Sequence, residues 1–280
     1  MTIFGKMHRR KHGRPGQCPG LVFAGSLACA VMSVFSSQAA AQDSADLAKQ
    51  LSNPVSSLIS VPFQFNIDQD IGPEDDTRVL LNVQPVVPIS LNDNWNLISR
   101  TIVPLSSTGG GRPDGLGDIV QSVFISPKEP TASGWIWGTG PVFLVPTASD
   151  EALGLEKWAA GPTAVALKQQ NGWTYGALAN HLWSFAGEDD RPDVNATFLQ
   201  PFLSYTNAGA TTFYLNTEST YDWESESWSV PVNFGVNQVF SAGSQLMQLG
   251  IGSGYWVERP AGGPEGWRVR VQLTLLYPAG

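Results

Sequence analysis

The feature that most constrains this chain is a succession of segments of about ten residues in which apolar and polar side chains alternate. In the last of them, WRVRVQLTLLY (residues 267–277), the odd-numbered residues are all apolar, and Arg268, Arg270, Gln272 and Thr274 lie between them. Successive side chains of a β-strand point to opposite faces, so this pattern gives a strand one apolar and one polar face. Breaks rich in Gly, Pro and polar residues separate the segments, which predicts an all-β fold.

Twelve segments are predicted as strands, and they are long for a soluble protein. They cover residues 57–65, 79–90, 95–105, 117–126, 135–146, 157–168, 172–184, 196–206, 211–221, 228–239, 245–257 and 266–277. A tilted strand needs roughly 9–11 residues to cross a membrane, whereas strands of soluble proteins have about five or six. The lengths therefore favour strands that span a bilayer.

The connections between these strands fall into two sets that alternate along the chain. One set consists mostly of tight turns, and the other is longer and carries most of the acidic residues. Outer-membrane barrels have short periplasmic turns and longer outer loops. The sequence therefore predicts a closed antiparallel transmembrane β-barrel of about 12 strands, with both termini in the periplasm. Tryptophans near the predicted strand ends are expected to form aromatic girdles, namely Trp95, Trp135, Trp173, Trp183, Trp228, Trp256 and Trp267.

The first 41 residues have the composition of a cleaved secretory signal peptide. They begin with a basic stretch, continue with an apolar run, and end with Ala39 and Ala41 placed for cleavage before Gln42. A lipoprotein anchor at Cys29 is the alternative. The predicted organisation is thus a signal at 1–41, an N-terminal segment at 42–56 and a barrel at 57–280 in the outer membrane. The N-terminal segment is expected to be either a plug in the lumen or a periplasmic tail.

Charge and cysteine content narrow the partners. Residues 1–41 hold 5 of the 16 Lys and Arg and none of the 24 Asp and Glu, so the remaining 239 residues carry a net charge of −13. This argues against nucleic acid as a partner. Both cysteines lie in the predicted signal, and no His/Cys cluster follows, so neither a metal nor a cofactor is predicted. The expected partners are outer-membrane lipid and lipopolysaccharide, a small-molecule permeant, and the barrel assembly machinery through the C-terminal strand.

Charged residues within the strands are the candidate site. Alternation points Arg100, Glu218, Arg268 and Arg270 into the lumen, and Asp118 is assigned there with them. An arginine on the lipid face costs roughly 2–4 kcal/mol at the bilayer midplane, which makes the inward orientation the default. These charges are expected either to select permeants at a constriction or to brace a narrow lumen as ion pairs.

Two further features leave alternatives open. His181 and Ser184 suggest an outer-membrane lipid-modifying hydrolase, but alternation puts them on opposite faces, so no enzyme is predicted; a structural or surface-binding barrel with a sealed lumen is the third possibility. Proline is rare inside sheets, and it is expected here either to form bulges that shape the wall or to open a lateral gap. The prolines concerned are Pro62, Pro85, Pro88, Pro104, Pro141, Pro146, Pro162, Pro201 and Pro231.

Six fragments, in order, resemble a family of bacterial outer-membrane proteins grouped as putative phenol-degradation (MetA-pathway) proteins and often labelled transporters. The fragments are GLGDIVQSVFISP, GPVFLVPTASDEALGLEKWAAGPTAVAL, WTYGALANHLWSFAG, LQPFLSYT, ESTYDWE and GPEGWRVRVQLTLLYP. The resemblance covers about residues 46–278 and implies a channel for small, hydrophobic or aromatic molecules. It supplies no functional residues.

Overall fold

The alternating segments of the sequence pair side by side into a closed wall of antiparallel strands. The computed structural model describes residues 43–277, and within them the wall has fifteen strand segments. These are β1 (Ile59–Ile71), β2 (Asp76–Val83), β3 (Val86–Ser90), β4 (Trp95–Thr108), β5 (Gly115–Leu116), β6 (Ile119–Pro127), β7 (Trp135–Val145), β8 (Lys157–Gln170), β9 (Trp173–Gly187), β10 (Asn195–Thr206), β11 (Thr211–Thr217), β12 (Ser219–Asp222), β13 (Ser227–Ala242), β14 (Gln245–Glu258) and β15 (Trp267–Tyr277). The pairs β2–β3, β5–β6 and β11–β12 each follow one path, which gives twelve strands.

The first and last strands close the barrel. β1 pairs with β15 without interruption, from Ile59 opposite Tyr277 to Asp68 opposite Arg268. Closure leaves no unpaired strand edge and confirms the predicted antiparallel barrel of twelve strands. The end of the barrel that holds Ile59 and Tyr277 is here called the terminal rim, and the opposite end the loop rim. Two short 3-10 helices, Gly72–Glu74 and Glu151–Leu153, lie in the connections at the loop rim.

The largest departure from the predicted boundaries is in β1. The sequence predicts a strand over residues 57–65, but the strand continues to Ile71. Asn66 and Asp68, expected in a loop, face Arg270 and Arg268 across the closing seam. The strand extends because these polar side chains find partners inside the barrel.

The two faces of the wall have opposite chemistry. Ile251 is 59% exposed and Val236 is 38% exposed on the outer face, although both lie near the middle of long strands. On the inner face, Asp68 is 0% exposed and Arg270 is 3% exposed. A soluble sandwich buries its apolar faces against each other, whereas this wall turns them outward. Such a surface requires a hydrocarbon environment.

Aromatic side chains ring the outer face at both ends. Trp135 and Trp173 begin strands at the terminal rim, and Trp228 and Trp267 begin strands at the loop rim; all four are exposed. Indole rings favour the layer between lipid and water. Trp256 differs from the predicted girdle, because its indole Nε1 donates to Asp68 inside the barrel at 3.0 Å.

Several prolines coincide with irregularities in the wall. Pro85 lies in the break between β2 and β3, and the register between β13 and β14 shifts between Val230 and Pro231. Pro141 and Pro162 face each other across β7 and β8, where neither can donate a backbone hydrogen bond. The interruptions fit the bulge interpretation, and the lateral gap stays a prediction.

The N-terminal segment runs inside the barrel near the terminal rim. Residues 43–51 are helical. Ala48 packs against Leu276 and Val239, which point inward from β15 and β13. Val55 packs in a second cluster with Ile98 and Phe124. Helical residues 43–51 and the following turns thus occupy the lumen. No helix within residues 43–277 is long and apolar enough to span a membrane.

Candidate permeation site in the barrel lumen

A layer of buried charge lies across the lumen near the loop rim. The Asp68 carboxylate accepts two hydrogen bonds from Arg268, from Nε at 2.8 Å and from Nη2 at 2.9 Å. Arg78 Nη2 donates to the same carboxylate at 3.0 Å. The Arg268 guanidinium lies over the Trp256 ring, 4.7 Å from its centroid, where the ring attracts a cation. A buried charge needs such partners because taking it out of water is costly. We call this set the Asp68 layer.

A second ion pair lies one step closer to the terminal rim. Arg270 donates from Nη1 to Glu218 Oε1 at 3.0 Å and from Nη2 to Glu218 Oε2 at 2.7 Å. Its Nε donates to Asn66 Oδ1 at 2.7 Å. Glu218 lies between β11 and β12, and β13 and β14 separate it from β15 in the wall. The pair therefore reaches through the lumen and narrows it.

Glycines on the inner face of β14 make room for these long side chains. A Cβ at Gly254 would lie 2.8 Å from Arg268 Cδ, and a Cβ at Gly252 would lie 2.3 Å from the Tyr214 hydroxyl. Real Cβ contacts this short essentially never occur. The alternating glycines of LGIGSGYW therefore mark the strand against which the lumen side chains pack. Glycine at every second position of a predicted strand is the sequence signal for this packing.

Below the Arg270–Glu218 pair lies a partly open cavity of about 230 Å³. On the terminal side it is bounded by residues 51–54 and Ser56 of the N-terminal segment. Its wall combines amides, such as those of Gln64 and Gln272, with apolar side chains, such as Leu178 and Phe202. The cavity is smaller than the roughly 300–1,000 Å³ of pockets for drug-sized ligands. It therefore suits a small molecule with both polar and apolar surface.

Arg100 lines this cavity without a carboxylate partner. Its Nη2 donates to Gln84 Oε1 at 3.1 Å, and this is its one side-chain hydrogen bond to residues 43–277. Arg268 and Arg270 each hold a carboxylate through two nitrogens, whereas no ion pair within 4.0 Å involves Arg100 in the described part of the chain. Arg100 therefore leaves donor capacity facing the cavity.

The structure places the five residues predicted from sequence in three locations. Arg100, Glu218 and Arg270 line the cavity, and Arg268 belongs to the Asp68 layer above it. Asp118 lies apart from them, in the break between β5 and β6. Its carboxylate accepts hydrogen bonds from the backbone N–H groups of Thr147 and Leu155, at 3.1 and 2.6 Å. In this position it anchors the loop that follows β7.

Other lumen residues were not identified from the sequence. The predicted loop between the first two strands contained Asn66, Asp68 and Arg78. Candidate site residues were charged residues within predicted strands, which left out the uncharged Gln84 and Tyr214. Extending the alternation of β1 by three positions beyond Phe65 would have placed Asn66 and Asp68 on the inner face, with Ile67 on the outer face.

The hydrolase candidates make separate contacts. His181 Nδ1 lies 2.7 Å from Thr197 Oγ1, while the Ser184 hydroxyl donates to Asp193 at 3.1 Å. This hydrogen bond, together with the Lys157 ammonium 3.3 Å away, lowers the pKa of Asp193 in its loop. His181 and Ser184 therefore do not form the nucleophile–base contact that serine catalysis requires. Across residues 43–277, no group of three or more His, Cys, Asp or Glu side chains could hold a metal ion.

The chain is similar in fold to outer-membrane proteins of known structure. The COG4313 outer-membrane channel from Pseudomonas putida F1 superposes with a TM-score of 0.61 and 15% identity, covering 79% of this chain and 94% of that chain. Weaker similarity is found with the Salmonella typhi outer-membrane phospholipase (TM-score 0.45, 10% identity, 81% and 96% covered) and with the KdgM porin in complex with oligogalacturonate (0.41, 11%, 79% and 99%). No protein-family model and no curated protein matches the sequence.

These similarities define a class by fold alone. The barrel is of the outer-membrane type, and the Pseudomonas putida channel agrees in general terms with the outer-membrane family that the sequence resembles.

Proposed function

We propose that the protein is an outer-membrane channel for the passive uptake of a small hydrophobic or aromatic molecule. The observation that carries the proposal is the cavity inside the barrel, lined by both polar and apolar side chains and enclosed by a wall whose outer face is apolar. A polar interior within an apolar exterior is the arrangement that carries solutes across the outer membrane. The fold shared with the Pseudomonas putida channel supports this role.

In the proposed mechanism, selection takes place at the charged layers. A permeant enters at the loop rim and passes the Asp68 layer and the Arg270–Glu218 pair, which set the width and the field of the passage. It then rests in the cavity. Release at the terminal rim requires movement of residues 43–56, because this segment bounds the cavity on that side.

The proposal includes the route by which the protein reaches its membrane. Residues 1–41, all of which lie outside the described residues, act as the cleaved export signal, residues 42–56 form a plug, and residues 57–280 form the barrel. The terminal rim faces the periplasm, and the acidic loops face lipopolysaccharide. The last strand, β15, is recognised by the barrel assembly machinery.

A sealed barrel is the second candidate, and the N-terminal segment is the observation that favours it. Ala48 and Val55 pack against inward-facing side chains, which supports a lumen obstructed at the terminal rim. The two candidates differ in whether this segment moves. No contact of His181 or Ser184 favours an enzyme.

Conductance of the purified protein in planar lipid bilayers separates the candidates. A channel conducts KCl, and Arg270→Gln changes its ion selectivity toward cations because Glu218 is then unpaired. The matched control is Arg259→Gln, since Arg259 pairs with Glu265 in an exposed loop. Absence of conductance in the wild type and after deletion of residues 43–56 would contradict the channel and favour the sealed barrel.

A further inference from the structure

The cavity has an excess of positive charge that the protein does not neutralise. Three of its lining residues are charged, namely Arg100, Arg270 and Glu218. Arg270 engages both oxygens of Glu218, and Glu218 also attracts Arg100 from a greater distance. Two guanidinium groups therefore share one carboxylate, and Arg100 is the one that is not in hydrogen-bond contact with it. This is unexpected in a chain whose net charge is −8.

Arg100 is also placed to act on a ligand. It lies on β4 directly opposite Val86 of β3, and both side chains line the cavity. Val86 and Phe202 pack against the apolar cluster around Leu178. The guanidinium therefore stands beside an apolar surface. A guanidinium whose donors are free binds a carboxylate through two parallel hydrogen bonds.

From this arrangement we infer that the cavity binds a small organic monocarboxylate. Its carboxylate takes the free donors of Arg100, and its apolar body lies against Val86, Leu178 and Phe202. One negative charge balances the cavity, whereas a neutral molecule leaves the Arg100 guanidinium without a counter-charge. The inference rests on the proposed channel function and narrows its permeant from hydrophobic or aromatic molecules to those that carry a carboxylate.

The size of the cavity narrows the class of ligand further. A volume of about 230 Å³ matches a small molecule held within the lumen. The amides of Gln84 and Gln64 are available as neutral hydrogen-bonding groups beside Arg100, since Gln84 Nε2 reaches Gln64 Oε1 only at 3.5 Å. Their side-chain N–H groups can donate hydrogen bonds to the carboxylate oxygens from the side that Arg100 does not occupy.

Isothermal titration calorimetry of the detergent-solubilised barrel tests the inference without requiring transport. The probes are benzoate and benzamide, which have nearly the same shape and differ in charge, together with inorganic phosphate. We expect benzoate to bind at least about tenfold more tightly than benzamide or phosphate. Benzamide lacks the negative charge that pairs with Arg100, and phosphate lacks the apolar ring. Arg100→Gln should weaken benzoate binding by about tenfold or more and leave benzamide unchanged, and Arg100→Lys should restore part of the loss.

The control variant is Arg112→Gln, because Arg112 lies in a connection at the loop rim, 3.7 Å from Asp76. This variant should bind benzoate like the wild type. Folding of each variant is verified by the shift in electrophoretic mobility of unheated barrels. Equal binding of benzoate and benzamide, binding of phosphate as tight as that of benzoate, or unchanged benzoate binding in folded Arg100→Gln would each overturn the inference. Because this readout is binding, a protein that binds benzoate but does not conduct would contradict only the proposed channel.

Discussion

At the scale of single residues, the buried carboxylate of Asp68 holds together the charged side chains of the lumen near the loop rim. It receives hydrogen bonds from Arg268, Arg78 and Trp256, which come from three different strands. Because two guanidinium groups depend on one carboxylate, its loss leaves positive charges close together in a site with little water. Removing one partner of a buried ion pair is far more costly than replacing the whole pair by apolar residues, because the other charge is left buried and unpaired.

We therefore predict that Asp68→Asn destabilises the barrel by about 3–5 kcal/mol. The amide can still accept a hydrogen bond, but it no longer balances Arg268 and Arg78. Urea unfolding in detergent micelles, followed by tryptophan fluorescence, measures the change. The control is Glu265→Gln, which removes an exposed pair with Arg259 and should cost at most about 1 kcal/mol. Equal stability of the two variants would mean that the Asp68 layer contributes nothing to folding.

At the scale of elements, the sequence predicted strands well where alternation was uninterrupted and less well where partners decided the outcome. β15 could be assigned to within a residue, since its apolar and polar positions alternate without a break. The end of β1 was predicted too early because Asn66 and Asp68 are residue types common in loops, and partners such as Arg268 lie up to 200 residues later in the chain. The role of Gly252 in accommodating Tyr214 likewise depends on a contact between distant strands.

The N-terminal segment is the element whose function is most easily tested. Ala48 is 0% exposed among Leu58, Val239 and Leu276, so a charged side chain has no room or partner there. We predict that Ala48→Glu displaces the helix from the lumen and raises single-channel conductance, because the hydrogen-bonded wall does not depend on the helix. Planar-bilayer recording measures the effect.

The matched control for this element is Asp43→Ala, which changes an exposed position of the same helix and should leave conductance at the wild-type level. If folded Ala48→Glu barrels conduct like the wild type, residues 43–56 do not close the passage, and the plug interpretation fails.

At the scale of the whole molecule, every functional statement depends on the outer face meeting lipid. Ile251 is 59% exposed in the middle of β14 and lies beside Val236 and Val271 at the same level of the wall. Leu155 is 46% exposed but belongs to the connection between β7 and β8, outside the strands. Both residues are aliphatic and about half exposed, and they differ in their position along the barrel axis.

We predict that Ile251→Arg destabilises the protein by roughly 2–4 kcal/mol in phosphatidylcholine vesicles, since arginine near the bilayer midplane leaves water for hydrocarbon. Leu155→Arg should change stability by less than about 0.5 kcal/mol, because its guanidinium stays hydrated. Urea titration of the folded fraction in vesicles compares the two. If Ile251→Arg is as harmless as Leu155→Arg, the outer face meets water, and a lumen enclosed by such a wall would have no membrane to cross.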